Sequence, residues 1–284
     1  MNGCFINLQR SSARREAMQA QLRELGLTGI RRLEAIDAAG LPPAAAGAAI
    51  SAGEQACFLS HLAALEAAAP GGFHLVLEDD ALLSRALPAL LRSDALARLE
   101  PFDLVFLECL PYTSAPALLA LWRSLKRHLP PDDGAPREAA AGVEILDARG
   151  LYNWGAVAYL ATPRGLRTLP ALLREALAAG PARPFDLTLN RLVHEGRIRA
   201  AVLAPFLATP MLDSHARSTI ADRPRAAEND ALGGALRRLF FAGPVDGLEA
   251  HVAAYRHAPL TADPQLRLLA DLMAQLFVIT ARDG

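Results

Sequence analysis

Three consecutive carboxylates, Glu78-Asp79-Asp80, follow a short apolar run at residues 73–77. Pro70-Gly71-Gly72 precedes that run, and an apolar run bounded by turn residues is typical of a strand buried on both faces. Adjacent like charges at a strand end repel one another, so something must compensate them. Mg²⁺ or Mn²⁺ would do so, because hard metals take oxygen ligands. The alternative is a solvated turn in which Asp80 caps a helix that begins at Ala81.

The elements that must position these acids follow from apolar periodicity and turn residues. The strand candidates are residues 3–8, 30–36, 73–77, 102–107, 143–146, 153–160 and 198–203. The helix candidates are a segment capped by Ser11 or Ser12 and ended by Gly26, residues 54–68, 82–91 and 186–195, and a segment opened by Thr162-Pro163.

Strands that alternate with helices predict an α/β fold with a mostly parallel sheet and flanking helices. In such sheets ligands bind beyond the carboxyl ends of the strands. Asn7, Asp37 and the acidic cluster all lie at predicted carboxyl ends, so we expect them to converge. No Gly-x-Gly-x-x-Gly, P-loop or Gly-x-Ser-x-Gly motif is present, which disfavours dinucleotide oxidoreductases, P-loop NTPases and serine hydrolases.

Length and composition set further bounds. The chain has 284 residues, enough for one large domain or a domain with an extension, and it is 52% hydrophobic. A formal net charge of -1 gives no basic field for nucleic acid. Cys4, Cys57 and Cys109 are widely spaced, which favours buried free thiols in a reducing compartment. With no apolar run long enough to span a membrane, we expect a cytoplasmic protein, with the inner membrane face as a further option.

Several segments resemble glycosyltransferase family 25, which includes the bacterial lipooligosaccharide galactosyltransferases and collagen galactosyltransferase-like domains. The most specific are Gly53-Glu54-Gln55-Ala56-Cys57-Phe58-Leu59-Ser60-His61 and Leu77-Glu78-Asp79-Asp80-Ala81. Phe5-Ile6-Asn7-Leu8 with Arg14-Arg15, Ala35-Ile36-Asp37 and residues 155–169 add to the match. The resemblance spans residues 3–220 and implies a GT-A-like (Rossmann-like) fold, a nucleotide-sugar donor, most specifically UDP-galactose, and a divalent metal.

The resemblance implies roles for the acidic cluster. Asp80 would bind Mn²⁺ or Mg²⁺, Glu78 would bind the metal or face the donor ribose, and Asp79 would support them from the other side of the turn. The metal shell would be completed near the end of the domain by His215, with Asp213 as the alternative.

The donor-binding candidates line the predicted strand ends and the helices beside them. Asn7, Leu8 and Asp37 would hold the uridine, Arg10 and Arg14 would counter the diphosphate, and Ser60 and His61 would contact the donor. For two of these residues a purely structural role is the alternative: Arg14 would be solvated, and His61 would be a core histidine.

Candidates on the acceptor side come from later segments. Asp186 would be the general base of an inverting reaction, unless it is only a helix N-cap. Tyr152 and Trp154 would stack on an acceptor sugar. The implied acceptor is a glycan or glycolipid, such as lipooligosaccharide; a protein or peptide acceptor and a catalytically silent binding module remain alternatives.

A change in composition near residue 222 predicts a transferase domain at residues 1–222 and a helical extension at residues 223–284. Two apolar stretches in the extension, residues 236–241 and 266–279, allow three interpretations: packing against the transferase domain, a homodimer interface, or peripheral contact with a membrane surface. The near-neutral charge ranks the dimer above the membrane.

Overall fold

The computed structural model describes residues 1–42, 49–92, 94–130, 136–180, 183–212, 233–248 and 250. Within those residues, seven strands form one sheet in the order β2-β1-β3-β9-β5-β10-β7. Their bounds are β1 Asn2–Asn7, β2 Ile30–Glu34, β3 His74–Glu78, β5 Leu104–Phe106, β7 Glu144–Asp147, β9 Ala158–Ala161 and β10 Ala200–Ala204. β9 and β7 run antiparallel to their neighbours, whereas β2, β1, β3, β5 and β10 share one direction.

Two short strand pairs and several α-helices surround this sheet in the described part of the chain. The pairs are β4 Ala81–Leu83 with β11 Ala208–Pro210, and β6 Leu110–Pro111 with β8 Tyr152–Trp154. The helices are α1 Ser12–Glu24, α2 Ala52–Glu66, α3 Leu87–Arg92, α4 Ala115–His128, α5 Pro163–Ala178 and α6 Phe185–His194, with 3-10 turns at Ala38–Gly40, Asp94–Leu99 and Arg137–Ala139. The predicted α/β fold with a mostly parallel sheet and flanking helices is confirmed.

Alternating strand residues divide the apolar side chains between the two faces of the sheet. Val76 and Phe106 belong to the cluster that also contains Phe58 of α2. Leu75 and Leu77 belong to the opposite cluster, with Met18 of α1. The apolar run before the acidic cluster is therefore buried on both faces, as its composition predicts.

Local signals fix several helix ends. The Thr162 side chain accepts a hydrogen bond from the Gly165 N–H at 3.0 Å, so the predicted cap is confirmed. At α2, Ser51 and Glu54 form a reciprocal capping box that the sequence analysis missed. After α1, Gly26 adopts φ +66, the left-handed conformation that suits glycine at a helix end.

The predicted helix at residues 82–91 is wrong in its first half. Ala81–Leu83 is the strand β4, paired with β11, and α3 begins only at Leu87. Asp80 is therefore not a helix N-cap but part of a tight turn between two strands. Similarly, residues 153–160 form two strands rather than one, because Gly155 turns the chain with φ +103.

The part of the predicted extension that the structure describes packs against the sheet. Residues 233–239 are helical, and Leu236, Leu239 and Phe240 join the same apolar cluster as Phe58. Residues 266–279 lie outside the described residues. In the described part of the chain, none of the helices combines the length and apolar character that a membrane crossing needs.

Candidate functional site

The predicted strand ends meet at one edge of the sheet. β1 lies between β2 and β3 with Ile6 opposite Glu78, so Asn7 and the acidic cluster are neighbours. A pocket opens beside them and is lined by α2 and the segments after β1, β2 and β3. Its lining includes the predicted residues Leu8, Arg10, Arg14, Ser60, His61, Glu78 and Asp79.

Asp79 is held by two neighbouring side chains. Its Oδ2 accepts a 2.7 Å hydrogen bond from Asn7 Nδ2, and its Oδ1 lies 3.1 Å from Arg14 Nη1. These contacts tie the turn to β1 and α1, and the supporting role expected for Asp79 stays a prediction.

Asn7 is itself buried and fully engaged. Besides Asp79, its side chain bonds the Ser11 carbonyl and accepts from Arg32 Nε at 2.9 Å. Its amide group therefore organises the turn, and a contact of the Asn7 backbone with uridine stays a prediction.

Asp80 carries the least compensated charge of the turn. Its Oδ2 lies 3.8 Å from Arg14 Nη1, while its Oδ1 is buried without a hydrogen-bond partner among the described residues. Burial, followed by the charge of Glu78, raises the pKa of Asp80 to about 7, and Arg14 opposes the rise. The Met211 N–H donates to the Asp80 carbonyl at 2.9 Å and fixes the turn. His215 and Asp213 lie outside the described residues.

Glu78 faces His61. The Glu78 Oε1 and His61 Nε2 atoms are 3.3 Å apart, and His61 Nδ1 lies 3.1 Å from the Tyr159 hydroxyl. Burial favours a raised pKa at Glu78, but the hydrogen bond and charge of His61 outweigh it, so the pKa is lowered. His61 is thus neither a purely apolar core residue nor exposed: its buried ring presents Nε2 to the acidic cluster.

Ser60 and the Arg10–Asp37 pair shape the wall of the pocket. The buried Ser60 hydroxyl accepts from the Ile36 N–H at 2.9 Å and donates to the Ala56 carbonyl at 2.7 Å, so it anchors the segment after β2. Arg10 and Asp37 form an exposed ion pair at the rim.

On the other side of the site, Asp186 lies in the first turn of α6. Its carboxylate accepts from the Leu187 N–H at 2.8 Å and from the Gly155 N–H at 3.4 Å. Burial raises the pKa of Asp186 although both hydrogen bonds oppose the rise. The charges of Glu78 and His61 also act on the pKa of Asp186, which places it in the same electrostatic environment as the acidic turn.

The two predicted acceptor aromatics differ in exposure. Tyr152 is fully buried, its ring stacks on Phe106 at 3.9 Å, and its hydroxyl donates to the Asp186 carbonyl. Because both the ring and the hydroxyl are engaged inside the protein, Tyr152 supports Asp186 and does not offer a face to a sugar. Trp154 is only partly buried, with the Arg237 guanidinium 5.5 Å from its ring centre.

A buried ion pair that was not predicted from the sequence lies at the end of β5. Glu108 Oε2 lies 3.0 Å from Arg237 Nη1, and the two side chains are 0% and 3% exposed. Glu108 Oε1 also accepts from the Val157 N–H at 3.2 Å. One signal could have revealed Glu108: it follows the apolar residues 104–107 as Glu78 follows residues 73–77.

Cys57 belongs to the family motif at residues 53–61 but was not predicted as a site residue. It is half-buried, lines the pocket, and lies one helical turn before His61. Ligand atoms of Cys57, His61 and Glu78 all lie within 4.8 Å of one another.

Comparisons with known proteins give a family. The family model described as "Glycosyltransferase family 25 (LPS biosynthesis protein)" matches residues 1–178 of the 284. Among solved structures, the galactosyltransferase LgtC in complex with donor and acceptor sugar analogs gives a TM-score of 0.40 and 14% identity, over 95% of this chain and 100% of that chain. A similarity of that size does not transfer a fold or a substrate. No individual curated protein matches the chain.

Proposed function

Because the chain belongs to glycosyltransferase family 25, as its motifs predict, we propose that it transfers a hexose from a UDP-sugar to a bacterial surface glycan. The donor we favour is UDP-galactose, and the acceptor is a glycan or glycolipid such as lipooligosaccharide. The observation that best supports this proposal is the partly buried Glu78–Asp80 turn beside an open pocket at the carboxyl edge of the sheet.

The pocket suits a nucleoside diphosphate. Ile6, Leu8 and Ile36 give it an apolar wall for a base. Arg10 and Arg14, also in the lining, supply positive charge for the phosphates. Asp37 at the rim would accept from the ribose hydroxyls, and Ser60 would hold the Ile36 backbone in place.

The acidic turn fits a divalent metal. Asp80 has a buried oxygen without a partner among the described residues, and its pKa is raised first by burial and then by the charge of Glu78. Glu78 and Asp80 would hold Mn²⁺ or Mg²⁺ through oxygen ligands, and His215 is proposed as a further ligand. Such an ion, when bound, would neutralise negative charge on the departing diphosphate.

Asp186 is our candidate for the general base of an inverting transfer. The Gly155 and Leu187 N–H groups orient its carboxylate, and burial brings its pKa closer to neutrality, where a general base works best. Asp186 would take the proton of the acceptor hydroxyl while Trp154 stacks on the acceptor sugar. Tyr152 would hold the Asp186 backbone from below.

Calorimetric titration with UDP tests the donor and metal assignments. We expect UDP to bind in the presence of Mn²⁺ and to bind about tenfold or more weakly with EDTA or in Asp80→Asn. Asp94→Asn makes the same chemical change at an exposed position and should leave binding unchanged. UDP affinity that is equal in Asp80→Asn and the wild type would contradict the metal assignment. Parallel titrations with UDP-galactose, UDP-glucose and GDP-mannose rank the donors.

Replacement of Asp186 tests the base. For Asp186→Asn we expect turnover to fall about 10²–10⁴-fold with UDP affinity retained, because only proton transfer is lost. Asp186→Glu keeps a carboxylate and should retain more activity. If UDP affinity falls and turnover does not, Asp186 is a donor contact and the base lies elsewhere.

A further inference from the structure

We propose that Cys57, His61 and Glu78 form a second metal site, for a borderline ion of the Zn²⁺ or Co²⁺ class, distinct from the hard-metal site proposed at Glu78 and Asp80. The two sites would share Glu78, so we expect the two ions to compete for its carboxylate. The existence of the second site does not rest on the proposed transferase reaction, because it follows from three side chains and their surroundings.

The backbone places the three ligands at suitable distances. Cys57 and His61 are four residues apart on α2 and therefore lie on one face of the helix, and Glu78 at the end of β3 faces them. Two ligands about 2.0–2.1 Å from a tetrahedral zinc lie about 3.4 Å apart. His61 Nε2 and Glu78 Oε1 are 3.3 Å apart, and the three potential ligand atoms lie within 4.8 Å of one another. A small rotation of the Cys57 side chain would complete the set.

His61 is already oriented as a ligand. The Tyr159 hydroxyl bonds its Nδ1 at 3.1 Å, and the Phe185 ring stacks parallel to the imidazole at 4.2 Å. These contacts fix the ring plane and leave Nε2 directed at Glu78. A hydrogen bond to the other ring nitrogen is the usual way in which proteins orient a metal-binding histidine.

The chemistry of the set selects the ion. A thiolate, an imidazole and a carboxylate suit Zn²⁺ or Co²⁺ better than Mg²⁺ or Mn²⁺, which prefer oxygen ligands. Coordination requires the Cys57 thiolate, so the thiol proton is released to solvent. Because Cys57, His61 and Glu78 all line the pocket, a fourth coordination position would face the solvent or a bound ligand.

Titration of the metal-free protein with Co²⁺ alone, with the thiols kept reduced, tests the site directly. We expect one equivalent to bind and to give the thiolate-to-cobalt charge-transfer absorption. The band should be lost in Cys57→Ser and kept in Cys4→Ser, which removes another thiol that lies beside a histidine, His74. The absence of the band, or a band that persists in Cys57→Ser, would overturn the proposal.

Two further measurements complete the test. The first uses the wild type, so it holds even if Cys57→Ser fails to fold, and the second tests how His61 is oriented. In the wild type, Zn²⁺ should protect Cys57 from alkylation, read by mass spectrometry of its peptide; unprotected Cys57 would refute the site. Tyr159→Phe should weaken Co²⁺ binding about 10–100-fold, the usual effect of removing a partner that orients a ligand. Unchanged affinity would contradict the orienting role assigned to the Tyr159 hydroxyl.

These readouts are independent of the transferase proposal. If UDP fails to bind with Mn²⁺ but Co²⁺ gives the charge-transfer band, the proposed function fails and the second site stands. If the opposite is found, the second site fails alone. Where both hold, Zn²⁺ should inhibit Mn²⁺-dependent UDP binding by occupying Glu78, and excess Mn²⁺ should reverse that inhibition.

Discussion

The strands β3 and β5 run in the same direction, and acidic side chains lie at the end of each. The protein compensates the charges of these side chains differently at the two strand ends. After β5, Glu108 meets the Arg237 guanidinium at 3.0 Å, and neither side chain has appreciable contact with solvent. After β3, Asp79 and Asp80 are both near Arg14, at 3.1 Å and 3.8 Å, and one oxygen of Asp80 has no partner within the described part of the chain.

We interpret this difference as one between a structural charge and a charge that is kept for the proposed metal. At β5 the protein supplies its own cation, and the pair fixes the backbone at Val157 and the ring of Trp154. At β3 compensation is incomplete, which costs stability in the free protein but leaves negative charge for an external cation. Three substitutions test this contrast.

The largest effect is expected when Arg237 is removed. Arg237→Met leaves Glu108 buried without its cation, and we expect the free energy of unfolding to fall by about 3–5 kcal/mol. Urea unfolding at neutral pH measures it. The double variant Glu108→Gln with Arg237→Met should recover much of the loss, because no unpaired charge remains. A loss below about 1 kcal/mol in the single variant would contradict the assigned role.

A change of opposite sign is expected at Asp80. Its pKa is about 7 in the folded protein against 3.8 ordinarily, so its ionisation disfavours the folded state increasingly as pH rises between these values. Without metal, Asp80→Asn should therefore be more stable than the wild type at pH ~8, by up to about 4 kcal/mol, and no more stable below pH ~4. Asp94→Asn is the control. Thermal melts across this pH range that show no gain at high pH would contradict the contrast between the two strand ends.

The smallest effect is expected for the exposed ion pair between Arg10 and Asp37. Arg10→Gln should change the free energy of unfolding by less than about 1 kcal/mol, because exposed pairs are weak and screened by salt. UDP affinity should nevertheless fall if Arg10 faces the diphosphate. Calorimetry and thermal melts on the same variant separate the two effects, and a large loss of stability would show that the rim pair has a structural role.

Much of the fold could be predicted because it depends on local patterns. The apolar run at β3 and the Thr162-Pro163 cap can be recognised from a few consecutive residues. The convergence of Asp37 and Glu78 follows from the direction of parallel strands. These inferences need no knowledge of distant partners.

The parts that failed depend on distant partners. β4 is a strand because it pairs with Ala208–Pro210, and nothing near Ala81 indicates that pairing. β9 lies antiparallel between β3 and β5, and its apolar sequence does not encode direction.

Within the site, Tyr152 was assigned to an acceptor sugar, but the protein itself uses this side chain. Its ring stacks on Phe106, and its hydroxyl donates to the Asp186 carbonyl. Nothing in the sequence around Arg237 indicates its partner, because Glu108 lies 129 positions earlier.

The packing of residues 233–242 also bears on the order in which the chain can fold during synthesis. The Phe206 N–H donates a 2.8 Å hydrogen bond to the Phe240 carbonyl. The Arg137 side chain donates to the carbonyls of Leu239 and Phe241. The ribosome synthesises these residues after residues 1–178, which match the family model, at about 5–20 residues per second. One edge of β5 stays unpaired in the nascent chain until β10 has been synthesised. Phe206 lacks its backbone partners at residues 240 and 242 until those residues have been synthesised. The domain is therefore completed late in translation.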